Sequence, residues 1–384
     1  MPYRVLLLSH HGRTVAGGAP LADLALAEAL RRLGNTVDAL FYDDALPRWV
    51  RGTWRQLVFP WAAAVAALRR WRRARWDVID ATAGDAWVLR LALRLLPGRR
   101  PLMAVRTHGL EHRRAELDLA QRRAAGDRLS PGTRLYHFHY RLREVAGDLA
   151  AADAVFLLNQ EDARHSIERL GLSPDRVHVL PNGVPDELLA LPAPEPDPER
   201  RFHLLFLGAW SPQKGADLLP AIIDRLFARD PRFRLTCAGT GSPAEAVLAD
   251  FAPTDRGRVR VVPRYDRSEL PRLLAGHGVF LFPSPAEGSS LALLEAMAGG
   301  LVPVVTPTGQ AADLIVPGEN GFLVERGHVA GFAEAVLAVA ADPETCWRMG
   351  VAARRSTAGK SWTARAAERM RIWDELRKGG HAPR

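Results

Sequence analysis

A chain of 384 residues can hold two separate cores, and 47% hydrophobic with 25% charged content excludes a disordered or fibrous protein. Two cysteines, Cys237 and Cys346, exclude a disulfide framework, and no apolar run approaches the roughly 18 residues of a membrane span. The net charge of +9 suits an anionic substrate or an anionic membrane surface. Neither zinc-finger spacing nor an RNA-binding aromatic signature accompanies it, so no nucleic-acid partner is expected. The opening residues read as a strand without the apolar core and cleavage site of a signal peptide, so the expected location is cytoplasmic.

In chain order, Arg4 to His10 reads as a buried strand, followed by a loop with Gly17-Gly18 and a helix over Leu21 to Leu33 ending at Gly34. Thr36 to Tyr42 resumes as strand. The loop is not Gly-x-Gly-x-x-Gly, so a dinucleotide site is poorly supported. Residues 48–76 interleave Trp49, Trp54, Trp61, Trp71 and Trp76 with Arg51, Arg55, Arg69, Arg70, Arg72, Arg73 and Arg75. Such a stretch fits peripheral contact with a membrane, tryptophans at headgroup level and arginines on anionic lipid. It equally fits a core helix with a solvated basic face. Strands follow at Trp76 to Asp80 and Pro101 to Thr107, the second delivering Thr107-His108-Gly109 at its carboxyl end. Residues 113–150 read as helical, interrupted at 126–132. His137 and His139 alternate with aromatics there and are expected to pack at a helix surface. A strand at Asp153 to Asn159, a helix from Asp162 to Leu170 and the segment Val177 to Val184 complete the first half.

The proline-rich stretch 191–200 reads as a linker. A strand from Phe202 to Leu207 leads into Gly208-Ala-Trp-Ser-Pro-Gln-Lys214-Gly215, where a lysine can reach a phosphate. Strands at Phe233 to Ala238 and Val259 to Val262 precede the most informative stretch, Pro283 to Gly300. It lies between two apolar strands, and Ser290 to Ala298 has helical spacing with Gly299-Gly300 as its stop. A loop at the carboxyl end of a parallel strand is where open α/β sheets bind ligands. Gly288 allows a close backbone approach, and the N–H groups of Ser289, Ser290 and Leu291 at the helix start suit a phosphate. Glu287 and Glu295 bracket that helix start, and carboxylates suit sugar hydroxyls. A capped surface helix with two solvated glutamates is the plainer alternative.

Glu287-x7-Glu295 in this setting resembles the retaining glycosyltransferases of the GT-B class known as group 1 or family 4. The resemblance covers nearly the whole chain and is strongest over 204–324. It implies two Rossmann-like α/β domains with parallel sheets facing a central cleft. An acceptor domain would span 1–190, a linker 191–200, a nucleotide-sugar domain 201–360, and a helix at 361–384 would return to the first domain. It implies that Lys214 and the N–H groups of Ser289 to Leu291 hold the diphosphate, that Glu295 holds the ribose, and that Glu287 faces the anomeric carbon. It places Gly17 and Gly18 beside the diphosphate and acceptor, and His108 at the sugar. The family transfers sugar with retention and usually without a metal, which agrees with the lack of an Asp-x-Asp motif. The nucleotide-sugar is a substrate, so no cofactor is expected, and the acceptor would be a glycan or a lipid-linked sugar. Ala209 and Trp210 stand where the family commonly has arginine, which puts one phosphate contact in doubt. Two other readings stand beside this one. His108-x-x-Glu111-His112 spells an inverted zinc-peptidase motif, which would need all three on one helix. A sugar-nucleotide binder without transfer activity would also fit the missing arginine.

Overall fold

The computed structural model describes residues 2–13, 17–47, 49–50, 52–71, 75–124, 126, 130–193 and 195–379. Chain contacts divide into two units, residues 1–182 with 362–384, and residues 183–361. The first is built on β1 (Arg4–Ser9), β2 (Thr36–Phe41), β3 (Val78–Thr82), β4 (Leu102–Arg106), β5 (Ala154–Leu157) and β6 (Val177–Val179). These form one sheet in the order β2-β1-β3-β4-β5-β6, every neighbouring pair parallel. Every residue of β3 and β4 is buried, which is why both read as near-continuous apolar runs. Asp80 and Arg106 are the charged exceptions, and they meet in an ion pair.

The first helix, Gly18–Arg32, starts before the expected Leu21. Pro20 lies in its first turn, where a missing N–H breaks no helical bond. The tryptophan-arginine stretch divides by helical phase. Helix Thr53–Trp71 buries Phe59, Ala63, Ala67 and Trp71 and exposes Trp54, Val58, Trp61 and Val65. Trp71 and Trp76 are therefore core residues, their rings 5.7 Å apart, and not interfacial ones. Arg48, Arg51, Arg72 and Arg73 lie outside the described residues. Helix Glu111–Ala124 is followed by a π-helical segment, Leu135–Arg141, and a helix Leu142–Ala150. His139 is exposed there, and the side chain of His137 lies outside the described residues. No helix among the described residues is long and apolar enough to cross a membrane.

The second unit repeats the architecture with β7 (His203–Leu207), β8 (Arg234–Ala238), β9 (Val259–Val262), β10 (Val279–Phe282), β11 (Val302–Val305) and β12 (Phe322–Leu323). Its order is β12-β11-β10-β7-β8-β9, again all parallel. The division between units falls at 182/183, ahead of the proline-rich 191–200 segment rather than at 190. Val184 bridges Ser361, and Leu188 of the short helix Asp186–Leu189 joins the second core. The last helix, Trp362–Lys378, belongs to the first unit, where it packs on helix Gly18–Arg32. Trp373 is fully buried, its ring edge-on to Tyr3 at 5.6 Å. Arg369 reaches from this helix to Asp80, which also holds Arg106.

Candidate active site

In the second unit the loops after β7, β9, β10 and β11 lie at one edge of the sheet, the carboxyl ends of its strands. Two glycines press these loops together. Gly215 has φ +74° and its backbone lies so close to the next loop that a Cβ would stand 2.2 Å from the Pro283 carbonyl oxygen. Gly309, at φ +53°, is packed as closely on the Glu287 and Gly288 carbonyls. Only glycine fits either place. The result is a direct contact between the two predicted loops: Lys214 Nζ donates to Glu287 Oε1 at 2.7 Å. Ser284 Oγ lies 2.7 Å from the same oxygen and 3.1 Å from the Gln213 carbonyl, so it orients the carboxylate from below.

The helix beyond the loop is Leu291–Ala298, with Ser290 as its N-cap: Ser290 Oγ accepts from the Leu293 N–H at 3.3 Å. Ser289 donates to the Gln310 side chain, and Gly288 accepts from the Gln310 N–H at 2.8 Å, which ties the loop to the residue after Gly309. Glu295 is buried and ion-paired, with Arg267 Nη2 2.6 Å from its Oε1. It is therefore not a solvated surface carboxylate. Burial raises its pKa above the ordinary glutamate value, and Arg267 opposes that rise. Trp210 does not replace the missing arginine. Its indole N–H donates to Asp250 at 2.7 Å and its ring packs on Phe206 and Phe251. Arg267, beyond β9, was not foreseen; nothing in its sequence surroundings marks it except a place after a strand.

In the first unit, Gly17 is the N-cap of helix Gly18–Arg32. Its φ of 171° is extended backbone open to any residue, and a Cβ on Gly18 would meet nothing within 4 Å. Neither glycine is demanded by the turn itself. His108 follows β4, with Nε2 3.0 Å from Asp23 Oδ1. Asp23 is the hub there: Arg106 Nε donates to Oδ1 at 2.9 Å, Ser9 Oγ to Oδ2 at 2.6 Å, and His11 Nδ1 stands 3.2 Å from Oδ2. Its carboxyl sits well below the usual range because Arg106 and His108 together outweigh the cost of burial. Asp23, His11 and Arg106 were missed by sequence reasoning. The available signal was a carboxylate on the apolar face Ala22, Leu26, Ala27 and Leu30, and an arginine inside a buried strand.

The zinc-peptidase spelling fails on geometry. The helix starts at Glu111, so His108 stands outside it and cannot share a face with His112. Glu111 instead accepts from Arg141 Nη2 at 2.8 Å. Among the described residues, the cluster whose ligand atoms could hold a cation is His11, Asp23 and His108. There the carboxylate already faces Arg106.

Two parallel-sheet α/β units with paired loops at their carboxyl edges define the GT-B architecture, and solved structures agree. Sucrose-phosphate synthase from Thermosynechococcus elongatus superposes with a TM-score of 0.76 at 19% identity, covering 98% of this chain and 100% of that one. Anabaena Alr3699/HepE in complex with UDP gives 0.68 at 18% identity, covering 97% and 100%. The family model for Glycosyltransferase Family 4 matches residues 16–188, and that for Glycosyl transferases group 1 matches residues 201–342. The chain belongs to the group 1, family 4 glycosyltransferases. Among curated relatives, D-inositol 3-phosphate glycosyltransferase 1 of Catenulispora acidiphila is 29% identical over 62% of this chain and 61% of its own length. Alpha-maltose-1-phosphate synthase of Mycolicibacterium smegmatis is 31% identical over 59% of this chain. The match spans 64% of that relative's length, so less than two thirds of either protein is matched.

Proposed function

We propose that the protein transfers a sugar from a nucleotide-sugar to a hydroxyl acceptor, with retention at the anomeric carbon and without a metal. The observation that carries this reading is the Lys214–Glu287 contact at the carboxyl edge of the second sheet, beside the N-terminus of helix Leu291–Ala298. Lys214 is the cation for the diphosphate, assisted by the N–H groups at Ser289 to Leu291. When the diphosphate takes Lys214, the Glu287 carboxylate is released to face the positive charge that develops at the anomeric carbon. Glu295, fixed by Arg267, accepts from ribose hydroxyls. Gly288 keeps the backbone close to the donor, and Gly17 and Gly18 leave the start of helix Gly18–Arg32 open to a ligand. His108 serves the acceptor side, with its ring held by Asp23. The departing phosphate oxygen takes the acceptor proton on the same face, so no separate base is required.

The test is turnover of UDP-, GDP- and ADP-sugars with and without EDTA, with the product anomer read by NMR. Retention, insensitivity to EDTA and loss of transfer in Glu287→Gln and Lys214→Ala are expected. An inverted product, EDTA-abolished turnover or a fully active Glu287→Gln enzyme would overturn the assignment. Tight nucleotide binding without turnover of any donor would instead identify a silent binder.

A glycan or lipid-linked acceptor at a membrane surface is favoured by one stripe of helix Thr53–Trp71. Trp54, Val58, Trp61 and Val65 recur at helical spacing, all exposed, near the exposed Arg69 and Arg70. Sedimentation with anionic vesicles, lost in Trp54→Ser/Trp61→Ser and absent with neutral vesicles, tests this; equal sedimentation of wild type and variant would refute it.

A further inference from the structure

Among the buried polar atoms of the first unit without a hydrogen-bond partner are Thr107 Oγ1, His108 Nε2, Arg365 Nε and Arg369 Nε. All four residues line one cavity. Thr107 and His108 follow β4, and Arg365 and Arg369 are one turn apart on helix Trp362–Lys378, so they share a face. Each arginine is pinned at its Nη1, Arg365 to Glu368 at 2.9 Å and Arg369 to Asp80, which leaves the Nε groups over. His108 Nε2 is 3.0 Å from Asp23 Oδ1, but out of line for a hydrogen bond. Asp23 also lines the cavity, yet Arg106 and Ser9 already occupy its oxygens. Asp80 is shared between Arg106 and Arg369. The set left over is two guanidinium N–H donors and a hydroxyl, beside the His108 ring that faces Asp23, with no spare carboxylate.

We infer that the first unit carries an oxyanion-binding subsite formed by Thr107, His108, Arg365 and Arg369, which takes a phosphate-type group. Guanidinium N–H groups in a dry setting make charge-assisted bonds to such a group. A cation is disfavoured by the two arginines, and a neutral hydroxyl would leave the donors underused. Burial pulls Arg369 below the ordinary arginine value despite Asp80, so added negative charge is favourable there. The cavity also borders both places where the chain leaves this unit, at Asn182 and Trp362. The group can come from free phosphate or from a phosphorylated acceptor. Only that question of source rests on the glycosyl-transfer reading, because binding is measured without turnover.

The experiment is calorimetric titration with inorganic phosphate, against chloride at equal ionic strength. It compares wild type, Lys214→Ala and Lys214→Ala/Thr107→Val/Arg365→Leu. With the second-unit anion site disabled, phosphate should still bind Lys214→Ala, and bind about tenfold or more weakly to Lys214→Ala/Thr107→Val/Arg365→Leu, whose melting temperature in chloride stays near that of Lys214→Ala. Loss of binding in Lys214→Ala alone would place the anion in the second unit and overturn the proposal, as would no phosphate binding at all. Titration with D-inositol 3-phosphate and with inositol separates the sources. A phosphate ester that binds more tightly than free phosphate identifies an acceptor-borne group, and the reverse order a free ion. Inositol binding as tightly as its phosphate, with no phosphate competition, would also overturn the subsite.

Discussion

Replacing Asp80 by alanine removes the carboxylate that joins the last helix to the first sheet. Asp80 is wholly buried; Oδ1 is 2.7 Å from Arg106 Nη1, and Oδ2 accepts from Arg369 Nη1. Arg106 would keep Asp23 and the carbonyls of Asp80 and Leu8. Arg369 would keep only its stacking over the Phe156 ring, 4.0 Å from the centroid. A buried cation left without its partner costs about 3–5 kcal/mol, against a total stability on the order of 5–15 kcal/mol. The loss should concentrate where Arg369 anchors the chain, so amide exchange across 365–377 should accelerate more than in the second unit. Removing the cation as well changes the sign of the argument, because two missing charges leave nothing uncompensated. Asp80→Ala/Arg369→Met should therefore cost about 1–3 kcal/mol less than the sum of the two single changes. Urea unfolding of the four proteins provides the cycle. A single-variant cost below about 1 kcal/mol, or simple additivity, would refute the idea that this pair anchors the helix.

Gly215→Ala would force a Cβ into the Pro283 carbonyl at φ +74° and cost about 1–3 kcal/mol. Because it displaces the loop that carries Lys214, nucleotide-sugar affinity should fall as well. Gly241→Ala is the control, with φ +67° and nothing within 4 Å, and should leave that affinity intact. Arg267→Leu removes the partner of buried Glu295. With Arg267 partly exposed, the expected loss is about 1–2 kcal/mol, and it should shrink as the pH falls because burial raises the Glu295 pKa and a protonated Glu295 needs no partner; a loss independent of pH would refute it. Asp148→Asn tests a burial shift. Burial raises the Asp148 pKa to about 6 from 3.8. The folded state thus keeps its proton longer than the unfolded one, and stability falls as pH rises from about 4 through about 6, by about 3 kcal/mol. The asparagine variant should lack that fall when its pH curve is subtracted from the wild-type curve. His10, held near 3 by burial, slopes the opposite way over the same range and cancels in the subtraction.

Strand positions and the second-unit loops were legible because their signals are local. Buried parallel strands read as apolar runs, and the Gly-Ser-Ser start with Gly299-Gly300 as stop brackets one helix. The tryptophan-arginine stretch left the membrane and core-helix readings both open because composition shows which residues cluster, not which helical phase faces the sheet; the structure buries Trp71 and Trp76. The unit boundary moved for a similar reason. A proline-rich stretch marks a break in chain direction, but the Val184–Ser361 bridge decides which core the preceding segment joins.

What the sequence alone determined is the α/β alternation, the carboxyl-edge loops with Lys214 and Glu287 in them, and the helix after the second loop with Glu295 on it. Only the tertiary structure decided their partners. Lys214 finds Glu287 across 73 residues and Arg267 finds Glu295 across 28, while Asp80, which also holds Arg106, finds Arg369 across 289. An ion pair depends on the distance between two side chains in space. Sequence periodicity constrains which face a residue takes, but it carries no record of what the opposite face will be.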